Sequence, residues 1–390
     1  MFAGRIRLAP IFALLLVLGI AACASAPDRV AVRPSDTVPA KVVGVSADAR
    51  VFGDASYDAL IPQVELLRRN IIANRLNPTI LAISGGGQDG AYGAGFLTGW
   101  TTTGTRPEFA LVTGVSAGAL IAPFAFLGPR YDPVLRELFT GVSSNDIIRS
   151  RSIFGLFSRG LANTAPLRRL LDRFVTFEFM AEVAAETRRG RELVIATTDL
   201  DAQRTSFWNM GIIAESGTEE ARQVFISVLL ASASIPGLFD PVIFETEVDG
   251  QRATEVHVDG GTTLQIFALP SSVLSSSGIQ APLPGATHYH IVNGQLLPDF
   301  KVTRLSTLAI GRQALTTFIK SSARGNVVEA FDFANERGIN FNLTYIGPEF
   351  TEKPDKPFDT DYMTKLFEFG YENGKGPAWR KRAPFPGDPG

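Results

Sequence analysis

Hydrophobic positions fall along this chain first as one block, then as stepped faces and short runs. Residues 11–22 are continuously apolar behind Arg5 and Arg7, too short a stretch to span a bilayer comfortably. Across residues 57–76, Leu60, Ile61, Val64, Leu67 and Ile71 recur at helical spacing, which predicts a helix. Residues 79–83 are a short apolar run typical of a buried strand, and residues 109–113 a second one. Between them, Ser84-Gly85-Gly86-Gly87-Gln88-Asp89-Gly90-Ala91-Tyr92-Gly93-Ala94-Gly95 runs into a helix ending near Thr101. The second run passes through Gly114-Val115-Ser116-Ala117-Gly118 into another helix. Strand, glycine loop, helix, strand, serine turn, helix is a βαβ unit with parallel strands. Both loops then lie at the carboxyl ends of the strands, where open α/β sheets build their sites.

Further along, strands are predicted over 193–197, 288–292 and 341–346, and helices over 224–232, 303–321 and 361–373. Residues 245–258 predict a hairpin turning at Asp249-Gly250. Its second strand delivers Asp259-Gly260-Gly261. No internal repeat is present, and 390 residues leave ample core for one large domain.

The N-terminal block reads as an address. A basic start and an apolar core of this length make a signal peptide over 1–22. It ends in Ile20-Ala21-Ala22-Cys23, which resembles the lipobox of bacterial lipoproteins, where the cysteine receives a diacylglyceryl group. Ala24-Ser25-Ala26 as an ordinary cleavage site, or an uncleaved anchor, are the alternatives. Export to the cell envelope, at the outer membrane or the periplasmic face, follows from cleavage. Residues 23–56, with Pro27, Pro34 and Pro39 and no sustained period, read as a tether. Residues 57–376 read as the domain, and 377–390, rich in Pro, Gly and Arg, as an irregular tail.

Composition narrows the chemistry. A net charge of −2 gives no reason to expect nucleic acid as a partner. One cysteine excludes an intramolecular disulfide, and with three histidines little remains for structural zinc. Against 7 Tyr and 3 Trp there are 28 Phe, which suits an apolar core or a pocket for acyl chains. Arg149, Arg151, Arg159, Arg168, Arg169 and Arg173 could meet anionic headgroups, or simply solvate helix faces.

Gly85, Gly87 and Gly90 satisfy a G-x-G-x-x-G spacing, but the next strand ends in the serine turn, without the acidic residue that would hold a ribose. A Gly-Lys-Ser/Thr loop is absent, so no nucleotide is expected. The glycine loop instead fits an oxyanion site, where backbone N–H groups converge at a helix N-terminus. A G-x-S-x-G serine sits on a sharp strand-to-helix bend with its hydroxyl exposed, as a nucleophile needs. Its base has two solutions. One is an acid and a histidine, Asp199 or Asp259 with His288 or His290; the other is Asp259 acting directly. His257 reads as structural.

The loop from Ser84 to Gly95, Gly114-Val115-Ser116-Ala117-Gly118 and Asp259-Gly260-Gly261 together resemble the patatin-like phospholipases. Ala231-Ser232-Ala233-Ser234-Ile235-Pro236 is similar to a stretch that the family places between its serine and aspartate. The resemblance spans about residues 78–300. It implies a three-layer α/β/α sandwich with a mostly parallel central sheet, and hydrolysis of lipid acyl esters. It also implies a Ser–Asp dyad without metal or cofactor: Ser116 as nucleophile, Asp259 as base, and backbone N–H groups of Gly85, Gly86 and Gly87 as oxyanion donors. Lipid or phospholipid is then the substrate, and Cys23 would tie the chain to a membrane. The chain departs from the family pattern at Ser84, usually Asp, and Asp89, usually Arg or Lys.

Overall fold

The computed structural model of the chain describes residues 29–35, 38–141, 149–150, 162–276, 278, 280–300, 302–376 and 379–385. The signal peptide read over 1–22, Cys23, Arg151, Arg159 and the Arg149 side chain lie outside the described residues.

Two short strands come first, β1 (Lys41–Val42) and β2 (Arg50–Phe52), then helix α1 (Tyr57–Ala73). The glycine loop joins β3 (Thr79–Ile83) to α2 (Gly90–Thr101), and the serine turn joins β4 (Leu111–Val115) to α3 (Ala117–Leu127). Next are α4 (Asp132–Thr140), the ribbon strands β5 (Arg149–Ser150) and β6 (Ala162–Asn163), α5 (Ala165–Phe174) and α6 (Phe177–Arg188). They are followed by β7 (Glu192–Asp199), β8 (Arg204–Asn209), α7 (Met210–Glu215), α8 (Glu219–Ser232) and the hairpin β9 (Val242–Val248) and β10 (Gln251–Asp259). A one-turn α9 (Ser271–Leu274), β11 (Thr287–Val292), α10 (Thr307–Arg337), β12 (Asn340–Tyr345) and α11 (Thr360–Lys375) complete the order.

Strands β7, β4, β3, β11 and β12 lie side by side and parallel, the arrangement the βαβ reading requires. The β9–β10 hairpin adds an antiparallel wing, turning through Asp249 and Gly250, both at positive φ as a type I′ turn demands. Alternation along the strands sorts side chains to two faces. Leu81 and Ile83 of β3 and Ile291 of β11 enter the large core under α2, α3, α8 and α11. Ala82, Val292, Phe341 and Leu343 face the other way, onto Val327, Ala330 and Ala334 of α10. The result is the three-layer α/β/α sandwich.

Two expected boundaries are corrected. Within the stretch 23–56, read as a tether, β1 pairs with β9 and β2 with β8, and Ala49 and Phe52 are fully buried. The stretch lacks a long apolar period because its described residues contribute only five to the sheet, two in β1 and three in β2. Of the stretch 377–390, residues 379–385 are described and they dock on the domain: Arg380 exchanges backbone hydrogen bonds with Leu343 of β12. Trp379 packs edge-on to Phe96 and Trp100, 4.9 Å between ring centres in each case.

Helix α2 has no charged residue and nearly all of it is buried, which follows from its contact with α11. Added Cβ atoms at Gly95 and Gly99 would stand 2.0 Å from the carbonyls of Phe367 and Tyr371; at Gly370 and Gly374 they would stand 2.2 Å from those of Tyr92 and Phe96. Glycine four apart on both helices therefore lets backbone meet backbone. Gly99→Ala should lower stability by about 1–3 kcal/mol through overpacking, outweighing about 1 kcal/mol gained in helix propensity. Urea unfolding checks this; an unchanged midpoint would mean that the helices can part without cost.

Candidate active site

The geometry of the site begins at β7. Its residues 194–196 pair with β4 on one side and β8 on the other, and residues 197–199 pair with β10 and β8. Strands β4 and β10 therefore share one edge of β7, running toward each other from opposite ends. Val115 is in register with Ala196 and Asp259 with Thr197. The two strands meet tip to tip, so the residue that leaves β4, Ser116, comes against the residue that ends β10, Asp259.

Ser116 Oγ donates to Asp259 Oδ2 at 2.5 Å, and both residues are buried. The serine holds φ 54° and ψ −122°, a conformation that L-residues rarely adopt. Its backbone is pinned there: Ser116 N–H donates to Ser232 Oγ at 2.9 Å, and Ser232 Oγ donates to the Ala196 carbonyl at 2.7 Å. The Ala-Ser-Ala-Ser-Ile-Pro stretch thus has a mechanical part here, since Ser234 also accepts, through its carbonyl, from Asp259 N–H at 2.9 Å.

The other oxygen of Asp259 accepts from Gly261 N–H at 2.6 Å. Burial pushes the Asp259 carboxyl up to about 7, and the hydrogen bonds from Ser116 and Gly261 only partly offset it. Near neutral pH it can therefore take up and return a proton.

Of the three loop glycines, Gly85 is corrected. Its N–H donates to the Gln265 carbonyl at 3.0 Å and is spent inside the loop. The N–H groups of Gly86 and Gly87 have no acceptor among the described residues, and Gly87 lines the same cleft as Ser116. Gly86 cannot carry a side chain, because a Cβ would fall 2.2 Å from the Asn293 carbonyl; Gly87 sits at φ 57° with open space before it. Helix α3 starts at Ala117, so the first N–H groups of that helix also lack intrahelical acceptors. The sequence reading named no donor there, although the G-x-S-x-G turn carries that signal.

Ser84 and Asp89, the two departures from the family pattern, are both engaged. Ser84 Oγ accepts from Asn293 N–H at 2.8 Å and donates to the Gly85 carbonyl at 2.6 Å. Asp89 accepts from the Tyr362 hydroxyl at 2.9 Å, and burial raises its carboxyl to about 6. Next to it, Gln88 Oε1 accepts from Phe358 N–H at 2.6 Å. The loop is thereby tied to the segment entering α11.

The histidines do not reach the serine. His288 and His290 alternate with Tyr289 and Ile291, which face the large core, so they point to the α10 side of the sheet. There they lie against Phe333 and Phe341. Burial pushes them down to about 4 and about 3. Asp199 is likewise occupied elsewhere, accepting from the N–H groups of Asp201 and Ala202 at 2.9 and 3.2 Å.

Asp199, Glu255 and His257 form the only buried group among the described residues with a metal-ligand composition. Arg50 fills its electrostatic need: the guanidinium binds both Glu255 oxygens and stands 3.4 Å from His257 Nε2. His257 Nδ1 is 2.9 Å from Thr197 Oγ1. Within the fold these side chains and Arg50 satisfy one another as a buried ion cluster.

Ser116 opens into an apolar cleft of about 640 Å³, the open solvent at its mouth included, and among the described residues it is the sole polar side chain of the lining. Leu138 and Phe139 of α4, Leu167 and Leu171 of α5, Phe239 and Phe358 supply the walls. Of the arginines singled out, Arg168 is bonded to Gln223, Arg173 donates to Glu137 at 2.6 Å, and Arg169 is exposed.

Residues 81–270 match the family model described as patatin-like phospholipase. No curated protein matches the chain. Among solved structures, the crystal structure of VipD from Legionella pneumophila is similar at a TM-score of 0.39 and 10% identity. The match covers 76% of this chain and 65% of that one.

Proposed function

We propose, for a chain whose residues 81–270 belong to the patatin-like phospholipase family, that the lipid acyl hydrolysis this family supports runs through a Ser116–Asp259 dyad and an acyl-enzyme. The observation that carries the reading is the 2.5 Å contact between Ser116 Oγ and Asp259 Oδ2 at the head of an apolar cleft.

An acyl chain lies along the leucine and phenylalanine walls, where each buried methylene is worth about 0.8 kcal/mol, and its ester carbonyl meets Ser116. As Ser116 Oγ attacks, its proton passes to Asp259 Oδ2. The negative charge moves to the carbonyl oxygen, beside the N–H groups of Gly86 and Gly87 and the start of α3. Collapse expels the alcohol, which takes the proton back from Asp259. A water molecule then repeats the sequence, with Asp259 as base, and frees the acid. The N-terminal reading adds a location: matured at Cys23, the chain is held at an envelope membrane by its lipid, close to such substrates.

A fluorophosphonate probe tests the nucleophile, because it captures only an activated hydroxyl. Labelling of the full chain on Ser116, abolished by Asp259→Asn and kept by His288→Phe and His290→Phe, is the expected result. A chain that binds lipid without reacting with the probe would be a binding protein instead. Loss of labelling in either histidine variant, with the fold intact, would restore a Ser-Asp-His triad.

A further inference from the structure

Helix α10 is too long for the sheet it covers. With 31 residues it measures about 46 Å, whereas the six-residue strands β11 and β12 that it connects measure about 20 Å. Because those strands are parallel, the helix runs back against them, and its last turns lead into β12 at the amino edge. The excess therefore stands beyond the carboxyl edge, the edge that carries Ser116. Burial agrees: Ala323, Val327, Ala330 and Ala334 are packed, while residues 314–319 are exposed all the way round. Asn326 marks the level of the site, its Oδ1 accepting from Gln265 N–H at 3.0 Å, next to the glycine loop.

The overhanging turns are not dressed for water. Ile310, Leu315 and Phe318 are 49%, 56% and 57% exposed, and the segment leading in adds Phe300, Val302 and Leu305 at 93%, 80% and 94%. Isolated helical turns of this length are marginal without something to pack on, and large apolar side chains exposed in such number along one short segment mark an interaction site. From Phe300 to Ile319 the chain has three basic residues, Lys301, Arg304 and Arg312, and no acidic one, with Asp299 just before; Lys320 is turned back onto the Leu297 carbonyl. A second copy of the same face would bring these cations together. An anionic lipid surface meets both features, with apolar side chains entering the acyl boundary and basic ones at the headgroups. No helix among the described residues is long and apolar enough to cross a membrane, so this one would lie on the surface.

We propose that the overhang of α10 and the segment leading into it dock the chain on anionic lipid, presenting the carboxyl edge of the sheet, and so the mouth of the Ser116 cleft, to the bilayer. The proposal rests on the reading of that site as a lipid acyl hydrolase only for its purpose, not for the docking itself.

The test separates the two. The full chain carrying Cys23→Ala and Leu315→Cys, with an environment-sensitive fluorophore on the one remaining thiol, is titrated with vesicles of ether-linked phosphatidylglycerol and phosphatidylcholine, which no esterase cleaves. A saturating blue shift is expected, unchanged by Ser116→Ala. Arg304→Glu with Arg312→Glu, or Phe318→Asp alone, should move its midpoint more than about tenfold in lipid. No shift with vesicles overturns the docking, as does a shift that grows with protein concentration and needs no lipid, the mark of a second copy. Turnover of a short soluble ester is measured in parallel. The charge-reversal variant should keep that turnover while losing at least about tenfold on ester-linked vesicles. An intact blue shift without any turnover in the parent chain would defeat the hydrolase reading and leave the docking standing.

Discussion

Ser116→Ala and Asp259→Asn should each reduce acyl-ester hydrolysis by about 10,000-fold or more, the scale at which a nucleophile or its base is lost from a concerted pair. The double variant should be scarcely worse than either single one, because each removes the same event. Steady-state hydrolysis of a lysophospholipid and a simple ester would measure it. Asp259→Asn retaining more than about a tenth of the activity would sink the dyad. The same substitution has an opposite effect on stability. Burial raises the Asp259 carboxyl from 3.8 to about 7, so the folded state prefers the protonated acid. Its contribution to stability is fully present below about pH 4 and is lost as pH rises through 7, a swing of roughly 4 kcal/mol. Asparagine keeps the acceptor for Gly261 N–H, turns an N–H toward Ser116 Oγ and carries no charge to desolvate. Asp259→Asn should therefore be more stable than the parent by a few kcal/mol at pH 8, and the urea midpoints should draw together toward pH 4. Equal midpoints at pH 8 would mean that the carboxylate is well solvated, contrary to its burial.

What could be read before the fold was known was whatever local geometry imposes on residue type. The serine turn and the glycine loop need small residues where backbones nearly touch, and the β9–β10 hairpin needs Asp249-Gly250 at positive φ. These left marks in the sequence. The convergence of Ser116 and Asp259, 143 residues apart, is carried by no local pattern and is legible only through the family resemblance, with the histidine alternative left open by the residues themselves. It comes from two strands sharing one edge of β7, which is a property of pairing across the sheet. The histidine pair shows the same limit. A spacing of two places His288 and His290 on one face, but only the neighbouring strands and α10 decide that the face is away from the cleft. Gly85 departs from the expectation for a related reason: glycine allows an N–H to point anywhere, and the Gln265 carbonyl that claims it is 180 residues on. Helix α10 was expected over 303–321 and runs from Thr307 to Arg337. Its packed half uses Ala323, Val327, Ala330, Phe333 and Ala334, while its more apolar half is the one left exposed.

The rate of hydrolysis should carry the acid–base signature of Asp259. The group must be ionised to receive the serine proton, so kcat/KM on a soluble ester should rise about tenfold per pH unit and level off near pH 7, where its carboxyl titrates. A histidine base would give a different limb, since burial holds His288 and His290 down to about 4 and about 3; activity would then be flat across the neutral range. Asp89, raised to about 6 and bonded to Tyr362, is a second buried acid, carried by the glycine loop itself. Its ionisation would place a negative charge at the start of α2, beside the N–H groups assigned to the oxyanion, and so oppose the rise. Asp89→Asn should leave the limb near 7 in place and lift the plateau. A limb that moves with Asp89→Asn would transfer the titration to the loop and leave the base unassigned; a limb that stays, and vanishes with the activity in Asp259→Asn, fixes it on the carboxylate that touches Ser116.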